Sequence, residues 1–76
     1  MTKRRGRRPV SSSVIRAVGY DPDRRVLEVE FHSGNLYAYD GVAPEVFEQF
    51  LRAPSLGRYF NRWIADRYPF ARLDQS

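Results

Sequence analysis

Seventy-six residues with no cysteine make one small domain and exclude a disulfide framework, a thiolate metal site and a cysteine nucleophile. Apolar residues form 42% of the chain, too many for disorder throughout, yet no run of them approaches the roughly 18 that cross a bilayer. The net charge is +4 and the charged N-terminus leads into no apolar secretory stretch, so the chain is expected to be soluble and cytoplasmic, with no membrane contact.

In chain order, Lys3, Arg4, Arg5, Arg7 and Arg8 place five cations in the first eight residues. Such self-repulsion with so little apolar content predicts a disordered basic arm over 1–9, ahead of a single domain over 10–70 and a C-terminal tail over 71–76. Val14 to Tyr20 is rich in β-branched residues and ends at Asp21-Pro22-Asp23, which reads as strand then turn. Val26 to Phe31 alternates strictly, with Leu27, Val29 and Phe31 on a buried face and Val26, Glu28 and Glu30 on a wet one. His32-Ser33-Gly34-Asn35 supplies a turn, and Leu36 to Tyr39 is a third short strand.

The period then changes. Pro44 suits a first helical position, and Val46, Phe47, Phe50 and Leu51 share one side of a helix. Pro54 stops it, and Ser55 is placed to cap a second helix in which Leu56, Tyr59, Phe60, Trp63 and Ile64 lie on one arc, with Trp63 as a core anchor. Tyr68-Pro69 ends that helix. The expected fold is α+β, a three-stranded antiparallel meander followed by two helices packed on one face of the sheet (β-β-β-α-α).

Catalytic chemistry has little to draw on. His32 is expected in an exposed turn with no orienting carboxylate, and Lys3 sits in the arm. Asp21 and Asp23 are explained by turn formation, and Gly34 and Gly41 form no phosphate loop, so neither metal nor cofactor nor small-molecule substrate is expected, and no enzyme activity.

Binding chemistry has more. The five arm cations can neutralise phosphates without sequence preference, or serve only as a solubility tail. Tyr37 and Tyr39, two apart on one strand, share a face: open, they make a stacking platform for bases; closed, they are core. Ser55, Gly57 and Arg58, with Arg62 one turn on, read as a phosphate seat at a helix start, or as a glycine that lets the two helices approach at the Ala53-Pro54 corner. Residues 49–76 carry five arginines, Arg52, Arg58, Arg62, Arg67 and Arg72, against Asp66 and Asp74, so this third is basic, whereas residues 21–48 are acidic.

The ordered set of Ser12-Ser13, Gly19-Tyr20-Asp21, Leu27, Phe31, Gly34, the central Tyr37-Ala38-Tyr39, Val42 with Pro44, and Ala53, Ser55, Gly57, Tyr59, Phe60, Asn61, Ile64 and Tyr68 resembles the KTSC domain. That family comprises short domains at the C-terminus of some lysyl-tRNA synthetases and stand-alone bacterial proteins. The resemblance spans about residues 10–69 and departs from the pattern by the Arg-rich arm and by Ala43 between Val42 and Pro44. It implies a domain whose attachment to a tRNA-charging enzyme suggests RNA binding, and it carries Tyr37, Tyr39, Ser55, Gly57 and Asn61 as candidate functional positions. Together with Arg58, Arg62 and the arm, these residues lead to the expectation of a small non-catalytic RNA-binding module. The alternative is a protein-interaction module using a free strand edge or the aromatic helix surface.

Overall fold

A computed structural model describes residues 7–73. Its sheet is antiparallel with strands in sequence order: β1 (Arg8–Pro9), β2 (Ile15–Asp21), β3 (Val26–Phe31), β4 (Leu36–Asp40) and β5 (Phe70–Arg72). Between β4 and β5 come α1 (Pro44–Arg52) and α2 (Leu56–Tyr59), the latter running on without a break into a π-helical segment, Phe60–Ile64.

The central meander follows local chemistry. The Asp21 carboxylate accepts from the backbone N–H groups of Asp23 at 3.0 Å and Arg24 at 3.3 Å, closing the first turn, in which Arg25 takes a left-handed φ of 57°. Gly34, at φ 100°, supplies the positive φ of the second turn. In β2 the register shifts between Ile15 and Ala17, a bulge that brings Ile15 onto the same face as Val18 and Tyr20. That face, with Leu27, Val29 and Tyr39, receives the helices: α1 contributes Phe50 and the helix after it Leu56, Phe60 and Ile64. Tyr20 stacks on Phe47 with ring centroids 4.7 Å apart and donates its hydroxyl to the Val42 carbonyl, which pins the entry to α1.

The sheet has five strands where three were expected. Both additions are edge strands, of two and three residues, too short to show an alternation of their own; they are held by bonds to edges that the meander already provides. Of the expected arm over 1–9, residues 1–6 lie outside the described residues, but Arg8 and Pro9 pair with Val18 and Ala17. Arg7 donates from Nη1 to Glu28 Oε1 at 2.7 Å, with Nε 3.7 Å from Glu30. Self-repulsion within the arm is thus offset by the two carboxylates on the outer face of β3. Of the expected tail over 71–76, Ala71 and Arg72 belong to β5, which pairs Phe70 with Tyr39 and Arg72 with Tyr37.

Phe50 is the largest fully buried side chain and the one that ties α1 to the core. Truncating it as Phe50→Ala should lower unfolding free energy by about 3–5 kcal/mol in a urea titration, whereas Glu48→Ala on the exposed side should change it by less than about 0.5 kcal/mol.

Candidate functional site

β4 projects Tyr37 and Tyr39 to one side, as the spacing requires, and that side is the one the helices cover. Tyr39 is only 4% exposed, with Phe60 edge-on at 5.3 Å and Phe70 at 5.5 Å. Burial, then the nearby Tyr37 and the Asp66 carboxylate, push its hydroxyl up to about 12. Tyr37 is half-buried, edge-on to Phe31 and Phe70. The two-ring stacking platform is therefore not present: Tyr39 is core, because Phe60 comes down directly on it, and Tyr37 alone keeps part of its surface.

The basic candidates are spread over the molecule. Lys3, Arg4 and Arg5 lie outside the described residues; Arg7 is paired with β3 acids; Arg8 is exposed in β1. At the start of α2 the Ser55 hydroxyl accepts the Arg58 N–H at 3.3 Å, so it caps the helix with a donor that the phosphate seat would have used. Gly57 faces Val14 and not α1: a Cβ there would sit 3.6 Å from Val14 Cγ2, an ordinary contact, so neither close helix packing nor backbone conformation demands glycine. The two helices are joined instead by Tyr59, whose hydroxyl donates to Gln49 Oε1 at 3.3 Å.

One group of side chains does converge. The Ala65 N–H bonds the Phe60 carbonyl at 2.8 Å, an i→i+5 bond that widens the turn. A wider turn advances each residue by a smaller angle, so Ile64 stays beside Phe60 on the core side while Trp63 swings farther out than an α-helix would place it. Trp63 is accordingly 43% exposed, not a core anchor. The guanidinium carbons of Arg62 and Arg67 lie 5.4 Å and 5.1 Å from its ring centroid, and Arg67 Nε donates to the Arg62 carbonyl at 3.3 Å, which steadies the arrangement. An open concavity of about 460 Å³ lined by Asn61, Arg62, Asp66 and Arg67 adjoins them. Of the sequence candidates, Asn61 and Arg62 are brought together here, with Arg58 exposed earlier on the same helix. Trp63 and Arg67 are not among the sequence candidates, because helical periodicity of 3.6 assigns Trp63 to the buried arc; the run Arg62-Trp63 with Arg67 following is the local signal for the cluster.

Among the described residues no three of His, Asp and Glu gather to hold a metal ion, and no helix is long and apolar enough to cross a membrane.

Comparison with known proteins places these features in context. The profile of the KTSC domain matches residues 11–68. An uncharacterised protein of Stutzerimonas stutzeri is 48% identical over 66 residues, covering 86% of this chain and 93% of its own length. A lysine–tRNA ligase of Nostoc punctiforme is 39% identical over 61 residues, 80% of this chain but 11% of the ligase. The crystal structure of a KTSC domain protein from Yersinia pestis superposes with a TM-score of 0.85 at 40% identity, covering 90% of this chain and 96% of that one.

Two measurements check this geometry. Gly57→Ala should raise stability by up to about 1 kcal/mol in a denaturant titration, since the helix gains and the added methyl has room; a loss would show that the position is sterically closed. For Tyr39, the folded state keeps the proton up to about pH 12 while the unfolded chain releases it near 10.0, so its contribution is complete below pH 10 and lost as pH rises to 12. Unfolding free energy should fall by on the order of 2 kcal/mol across that interval, and Tyr39→Phe should flatten the decline.

Proposed function

The chain belongs to the KTSC domain family, and from that premise we propose that it is a small non-catalytic module that binds single-stranded RNA in the cytoplasm through the face built by Asn61, Arg62, Trp63 and Arg67. The observation that carries this reading is an exposed indole with two guanidinium groups against it. A planar ring at the surface can take an unpaired base in stacking contact, worth roughly 1–3 kcal/mol, and the guanidinium N–H groups beside it are geometrically suited to phosphate oxygens. A duplex keeps its bases stacked inside, so an indole platform selects unpaired strands. Arg58 extends the basic surface along the helix, and Arg8 supplies a further exposed cation. The similar segment in lysine–tRNA ligases, enzymes that by name act on tRNA, points to the same class of partner.

Tyr39 has no part in this reading, and Arg7 acts through the sheet. A protein-interaction module is the second reading; Phe70, 57% exposed, and Leu73, 45% exposed, at the β5 side of the sheet favour it.

Trp63 is the single tryptophan, so its fluorescence reports on the site directly. Titration with a single-stranded RNA oligomer at low salt should quench it, Trp63→Ala should weaken binding about ten- to hundred-fold in an anisotropy assay, and Arg62→Gln or Arg67→Gln should each reduce the salt slope by about 1. Affinity unaltered in Trp63→Ala, or no binding at low salt, sinks the proposal.

A further inference from the structure

A second concavity, also about 460 Å³, opens at the far end of the β3–β4 hairpin, where Val14, Phe31 and Tyr37 meet Ser13, His32 and Asn35. Its floor is aromatic and fixed. Phe31 is wedged edge-on between Phe60 at 5.3 Å and Tyr37 at 5.9 Å, and Tyr37 in turn meets Phe70 edge-on at 5.5 Å. Val14 forms an exposed apolar wall.

The rim is polar, and its hydrogen-bonding roles are settled by neighbours. His32 Nε2 lies 2.9 Å from the Ser12 carbonyl oxygen; a carbonyl only accepts, so Nε2 carries the hydrogen, and in the neutral ring Nδ1 is left as an acceptor. The loop bearing that carbonyl is itself tied down, since the Ser12 hydroxyl accepts from the N–H groups of Val14 and Ile15 at 3.1 Å. Asn35 Oδ1 accepts from Arg72 Nη2 at 2.9 Å, which orients the amide and leaves its NH₂ as a donor. The lining residues thus include one oriented acceptor and one oriented donor beside an aromatic floor, with no cation or carboxylate among them. Arg72, the cation beside the rim, is engaged by Asn35 Oδ1, and an aliphatic chain would leave the rim unused. A flat, neutral heterocycle with a donor and an acceptor on its edge satisfies both parts.

We propose that this concavity is a binding site for a single unstacked nucleobase, separate from the Trp63 face and independent of it. The base comes either from a free nucleoside or from one nucleotide of a strand. To test this, amide and side-chain NMR spectra of the full chain are recorded during titration with adenosine, which carries no phosphate, and separately with a single-stranded RNA oligomer. The expected result is saturable shifts at Ser13, Val14, His32 and Asn35. Shifts there with adenosine identify a free base as sufficient; shifts there with RNA alone identify a base delivered by a strand. Val14→Asp, on an exposed wall that the core does not need, should weaken the response at least about tenfold. Trp63→Ala should leave the adenosine response intact even where it abolishes RNA binding, so the two readings fail separately. No shift at these residues with either probe, or shifts undiminished in Val14→Asp, overturns the proposal.

Discussion

Phe60 must reach Tyr39, and most of the architecture follows from that contact. The sheet offers one apolar face, and the chain between β4 and β5 has to cover it with two short helices. An α-helical second helix would bring Phe60, Trp63 and Ile64 onto one arc facing the sheet. The π-helical turn keeps Phe60 and Ile64 on the core and releases Trp63 outward. The same backbone feature therefore closes the fold and exposes the ring around which arginines collect. π-helical turns of this kind recur at functional positions because they re-aim one side chain without breaking the helix.

Much of the framework is legible in the residues. The strict alternation of Val26 to Phe31, the Asp21 and Gly34 turns, Pro44 at the head of α1 and Ser55 capping α2 are each decided by neighbours in sequence, and the structure places them as those neighbours dictate. What the residues did not disclose was decided at a distance. β1 and β5 exist because edges of the meander accept them, and Arg7 is ordered by Glu28, which lies 21 positions away. Trp63 departs from the core position that its spacing suggests, because a 3.6-residue period holds only while the helix remains α, and of the two roles open to Tyr39 the helices decide for the core. A one-residue bulge in β2 likewise moves Ile15 to the other face, and nothing local in Val14 to Val18 announces it.

Charge is arranged in the same division of labour. The acids of β3 lie on the outer face of the sheet, where Arg7 screens them, while the exposed arginines of the helical region project from the opposite layer. Arg7 is an imperfect partner: its Nε is buried without a hydrogen bond, 3.7 Å from Glu30. Partly exposed pairs of this kind contribute little net stability, and the bond ties the residue before β1 to the acidic strand β3.

Pro9 gives the sheet a finished border. Val10 donates its N–H to the Arg16 carbonyl at 3.0 Å, so the residues on either side of Pro9 turn their polar groups inward and Pro9 turns outward. Having no N–H and a rigid ring, it offers an incoming strand neither a donor nor a flat approach. Growth of the sheet by accretion of further chains is thereby discouraged along that margin.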